Sequence, residues 1–110
     1  MKDDAVYLKH VQDAIGRIER YTTGGRKAFF HDPLIQDGVI RNLEVIGEAV
    51  KHLSAGLKKR HPSIPWRSIT ALRNVLIHEY FGVDLEAVWR VIHNRIPALK
   101  RYVGMLLRSS

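Results

Sequence analysis

Between residues 73 and 80 the chain reads Arg73-Asn74-Val75-Leu76-Ile77-His78-Glu79-Tyr80. Arginine carries a permanent charge on a planar fork of donors that matches phosphate oxygens, and histidine is the side chain whose reference pKa lies nearest neutral pH. Arg73 and His78 together could therefore bind a phosphodiester and move its protons. Tyr80 adds a phenol that can hydrogen-bond, stack on a base or accept a modification. The groups sit among apolar helix formers, so a helix must position them.

On a helix of 100° per residue, Tyr80 lies about 20° from Arg73 and His78 about 140° away. Asn74 falls between them, at about 100°, four residues before His78 and within reach of it. This arc is too wide for one compact pocket on one helix unless the terminal turn before Gly82 distorts. A second copy of the helix about a two-fold axis would face the arc and gather both sets of groups into one cleft, so a homodimer is expected.

The remaining sequence supplies helices for such a scaffold. From Asp3 to about Tyr21, Leu8, Val11, Ile15 and Ile18 recur at steps of three and four, a single buried stripe. Asp3 and Asp4 suit the positive end of that helix, and Thr22-Thr23-Gly24-Gly25 ends it. Phe29 and Phe30, in a loop or short helical turn, are expected to cap the core. Asp32-Pro33 opens a second long helix with the stripe Ile35, Val39, Leu43, Ile46, Val50 and Leu53, interrupted by Gly38 and Gly47, where another helix could approach closely. Ser54 to Pro62 is a basic connection with room for one helical turn. Pro65 opens the third long helix, which passes Trp66, Ile69, Leu72 and Leu76, carries the polar set and is expected to stop at Gly82. Asp84 is placed to cap a final helix with the stripe Val88, Ile92, Ile96, Leu99, Val103 and Leu106, which Pro97 should kink or break near Asn94. Trp66 and Trp89 are expected as core or interface anchors. The fold class is all-α, an up-and-down bundle of four principal helices in one domain over residues 1–110.

Composition narrows the partners. The chain has 110 residues, no cysteine and a formal charge of +7 from 18 Lys plus Arg against 11 Asp plus Glu. The charge favours a polyanionic partner, nucleic acid or an acidic protein, without choosing between them. No disulfide, thiolate metal site or cysteine nucleophile can be built, and no apolar stretch reaches bilayer length, so a cytoplasmic protein without membrane contact is expected. His10, His31, His52, His61 and His93 are scattered, with no two histidines three or four residues apart, and neither a metal nor another cofactor is expected. His61 beside Lys58-Lys59-Arg60 reads as part of an anion-attracting surface.

The segment from Ile64-Pro65-Trp66 through Leu72-Arg73-Asn74-Val75-Leu76-Ile77-His78-Glu79-Tyr80 to Asp84 resembles the signature region of the HepT-like (DUF86) family of the HEPN superfamily. The resemblance continues through Leu85-Glu86-Ala87-Val88-Trp89 and Ile96-Pro97-Ala98-Leu99-Lys100, and upstream through Ile40-Arg41-Asn42-Leu43-Glu44-Val45-Ile46-Gly47-Glu48-Ala49. It implies a HEPN-like helical homodimer whose two Arg-x4-His motifs meet in a cleft, acting as a metal-independent endoribonuclease. It further implies the toxin of a type VII-like toxin–antitoxin pair, whose partner is an MntA-like nucleotidyltransferase antitoxin that silences it by AMPylation of the motif tyrosine. Carried onto this sequence, Arg73, Asn74 and His78 take the catalytic positions and Tyr80 the modified one. A reading from another class is a non-catalytic basic dimer that binds nucleotide or a nucleotidyltransferase. A pure scaffold, however, would need neither Arg73 nor His78.

Overall fold

Apolar residues at steps of three and four wind nearly the whole chain into helices. The computed structural model describes residues 2–78 and 84–109, with only the backbone described at Lys2 and at 74–78. Seven helices lie within the described residues: α1 (Lys2–Tyr21), α2 (Gly25–His31), α3 (Pro33–Lys51), α4 (Ala55–Arg60), α5 (Trp66–His78), α6 (Leu85–Asn94) and α7 (Ile96–Arg108). The bundle is all-α, as expected. Its long members are α1, α3, α5 and the α6–α7 pair. The expected stop of α5 at Gly82 lies outside the described residues.

Local chemistry sets the helix starts. Asp32 accepts from Leu34 N at 2.9 Å, and Pro33, which has no N–H to leave unpaired, occupies the first turn of α3. Asp84 accepts from Glu86 N at 3.0 Å and Ala87 N at 3.3 Å at the head of α6. The last stripe is cut where Pro97 demands it. Helix α6 ends at Asn94, and α7 begins with Pro97 in its first turn, where the missing N–H costs no hydrogen bond. The two regions read as turn or connection, around Phe29 and in Ser54–Pro62, are the short helices α2 and α4.

The core lies between α1, α3, α5 and α7, with α3 packed on both α1 and α5 and α7 closing onto α1. Val11 and Ile18 of α1 and Val39, Leu43 and Ile46 of α3 are fully buried. Each contributes about 1.5–3 kcal/mol relative to exposure. Phe29 is buried against Trp89, their ring centroids 5.2 Å apart, which ties α2 to α6. Arg26 reinforces the same seam, ion-paired with Glu86 and stacked over Phe30 at 4.6 Å.

Glycine in α3 serves close approach. A Cβ at Gly47 would stand 2.8 Å from Arg73 Cβ and 3.0 Å from Arg73 N, and one at Gly38 would stand 3.0 Å from the Tyr21 ring. Packing therefore offsets the helix-propensity loss at these positions, about 1 kcal/mol each.

Asp4 does more than complement a helix dipole. Buried, it accepts from Ser54 N at 2.8 Å and from Ser54 Oγ at 2.6 Å, while Ser54 Oγ accepts from Leu57 N at 3.2 Å to cap α4. Burial alone would push the Asp4 carboxyl up, but the two Ser54 hydrogen bonds and the nearby Arg60 charge together hold it below its ordinary value. Asn42 is also buried and satisfied, donating to Gly38 O at 2.8 Å and accepting from Arg17 at 3.4 Å. Among the described residues no helix is long and apolar enough to cross a membrane.

Candidate active site

The close passage of α5 over Gly47 fixes where Arg73 emerges. The next residue of α3 is Glu48, and its Oε2 lies 2.9 Å from Arg73 Nε. Among the described residues no hydrogen-bond donor is aligned on that shielded oxygen, so the contact is an ion pair held by charge. One turn along the same face, His52 Nε2 lies 3.2 Å from Glu48 Oε1. A single carboxylate thus touches a cation with one oxygen and an imidazole with the other.

Helix α1 adds two further rings. The Tyr7 ring stacks on His52 with centroids 5.3 Å apart and planes 18° apart, and His10 meets the edge of Tyr7 at 6.1 Å. These groups and Arg41 line a cleft of about 320 Å³ that ends at Arg73. Arg41 keeps a loose pairing with Glu44 at 3.8 Å and is largely exposed. With Nε facing Glu48, the two Nη atoms of Arg73 have no partner among the described residues. They form a fork suited to an incoming phosphate.

Of the residues expected to form the site, Arg73 is placed at the cleft. Asn74 and His78 follow it within the α5 backbone, and their side chains lie outside the described residues. Tyr80 and the approach of a second copy of the helix also lie outside them. No group of three or more His, Cys, Asp or Glu side chains able to hold a metal occurs among the described residues.

Residues 11–106 match the family described as Ribonuclease HepT-like. The chain belongs to the HepT-like family. It is 44% identical over 98 residues to the "Probable ribonuclease HepT" of Thermococcus cleftensis, covering 86% of each chain. It is 38% identical over 110 residues to the "Putative RNase TTE0752" of Caldanaerobacter subterraneus subsp. tengcongensis, covering 99% of this chain and 98% of that one. It is 41% identical over 109 residues to the "Gamma-glutamylcyclotransferase and putative RNase MJ0434" of Methanocaldococcus jannaschii, where it spans 98% of its own length and 49% of the relative's. No solved structure matches.

In this HepT-like chain the surroundings of Arg73 were the part that sequence reasoning missed. Glu48 and His52 are four residues apart on α3 and so share a helical face, a spacing visible in the sequence. Tyr7 carries no such sign. It reaches His52 through the packing of α1 on α3, and both Tyr7 and His10 precede the residues that match the family.

Proposed function

We propose that this protein is a metal-independent endoribonuclease that acts as a homodimer. The observation that carries this reading is the membership of a HepT-like chain in which Arg73, at the cleft, and His78, five residues on, occupy one helix. RNA cleavage needs little more from a protein. The ribose 2′-hydroxyl attacks the adjacent phosphorus, the bond to the 5′-oxygen breaks, and the products are a 2′,3′-cyclic phosphate and a 5′-hydroxyl. His78 takes the proton from the attacking hydroxyl or gives one to the leaving oxygen. Arg73 offsets the charge that grows on the non-bridging oxygens, and Asn74 orients His78 or the phosphate. Two protomers face to face bring both motifs to one RNA strand, and the charge of +7 draws that strand in.

The biological setting in this proposal is a cytoplasmic toxin–antitoxin pair. Its antitoxin, an MntA-like nucleotidyltransferase, transfers AMP to Tyr80, adding bulk and negative charge where RNA must bind. The deciding experiment incubates the purified protein with RNA in excess chelator, beside Arg73→Ala and His78→Ala. Cleavage by the wild type that is lost in both variants, with the fold intact by circular dichroism, is the expected result. Equal residual cleavage in all three samples would assign it to a contaminant and remove the catalytic reading.

A further inference from the structure

The cleft beside Arg73 is larger than one arginine needs. Its volume of about 320 Å³ falls within the range of sites that hold small ligands. Three aromatic rings line it, and two of them are already stacked. We propose that this cleft is a nucleotide subsite, in which a phosphate of the strand pairs with Arg73 while an adjoining nucleobase stacks on His52. The proposal rests on the ribonuclease reading and names the part of the substrate that the α1–α3 face would hold.

Three features support it. Tyr7, partly buried against the core, stacks on one face of the His52 imidazole, and the His52 side chain, 49% exposed, lines the cleft. A base laid there would extend a stack that folding has already built, and stacking of this kind accepts any base because each has a π-face. Glu48 contacts both His52 and Arg73, so the stacking ring and the phosphate-binding cation are held at a fixed separation by one side chain. Arg41, 73% exposed and only loosely paired with Glu44, stands at the rim as a second cation for the next phosphate.

Two measurements test it. In the first, nucleoside 3′-monophosphates of all four bases are titrated into the protein, with inorganic phosphate as the control, and the His52 and His10 ring signals are followed by NMR. The nucleotides should shift the His52 ring and inorganic phosphate should leave it in place. No shift with any nucleotide, or an equal shift with phosphate alone, overturns the subsite. In the second, cleavage of a short fluorogenic oligoribonucleotide is measured for the wild type, His52→Ala and His52→Phe. His52→Ala should raise KM about tenfold with kcat nearly unchanged, the scale of one lost base stack, and His52→Phe should recover most of the loss because it keeps a stacking face. An unchanged KM in His52→Ala overturns the proposal. If the wild type cleaves no better than Arg73→Ala, the ribonuclease reading has failed, and the NMR titration still decides whether the cleft takes a nucleotide.

Discussion

Gly47 and Arg73 meet at backbone range: a Cβ on residue 47 would lie 2.8 Å from Arg73 Cβ and 3.0 Å from its amide nitrogen. Helix α5 therefore rests on α3 at Arg73, one of the two arginines that line the cleft. Gly47→Ala should push the helices apart. Overpacking costs about 1–3 kcal/mol, against at most about 1 kcal/mol gained in helix propensity. A lower urea midpoint together with weaker RNA cleavage is expected. A variant more stable than the parent and fully active would show that Arg73 does not depend on this contact.

Glu48 should separate activity from stability. Arg73 and Glu48 are 39% and 45% exposed, so their pair contributes less than about 1 kcal/mol to folding. Its value lies in fixing the guanidinium, and loss of such positioning can lower a rate by tenfold or more. Glu48→Gln is expected to melt within a few degrees of the wild type yet cleave RNA about tenfold more slowly. Thermal melts and initial rates on the same preparation check this, and equal damage to both would make the role of Glu48 purely structural.

The dimer reading has its own signature. Arg73→Ala and His78→Ala protomers, each inactive alone, should regain cleavage when mixed and allowed to exchange, because a composite cleft in the heterodimer keeps one intact arginine and one intact histidine. The rate in the mixture should exceed the sum of the separate variants several-fold. A rate equal to that sum would place all the chemistry within single protomers.

Asp4 predicts an acid limb to stability. Its carboxyl is held below the ordinary value in the folded chain, so the stability it contributes is present above the unfolded pKa of about 3.9 and is lost as pH falls through the lower folded value. Asp4→Ala should cost about 1–3 kcal/mol at neutral pH by leaving Ser54 N without its acceptor. The gap between variant and wild type should narrow as urea midpoints are followed from pH 7 to pH 3. A gap independent of pH would mean that the charge on Asp4 is immaterial.

The helical frame was legible because it is written in local signals. Leu8, Val11, Ile15 and Ile18 announced α1 by spacing alone, Asp32 and Asp84 marked two helix starts, and Pro97 marked the break between α6 and α7. Gly47 was readable as a point of close approach, though only the fold shows that Arg73 is what approaches. The rest depends on contacts between distant residues. Asp4 and Ser54 are 50 positions apart, and no periodicity joins them. Tyr7 and His52 likewise become neighbours only when α1 lies along α3. The short helices α2 and α4 carry too few turns for a stripe to show. Of the expected site residues, Arg73 lies at the cleft, while Tyr80 and the side chains of Asn74 and His78 fall outside the described residues. The spacing of Glu48 and His52 was visible in the sequence, but not that Arg73 and Tyr7 would join them.

The contact between Glu48 and Arg73 also bears on the entropy of binding. A free arginine side chain holds about 2 kcal/mol of rotamer freedom, which an incoming phosphate would have to freeze. Here the chain is already held through Nε by Glu48 at 2.9 Å. Much of that ordering is complete once the helices have packed, so an anion that reaches the cleft meets a fork already aimed.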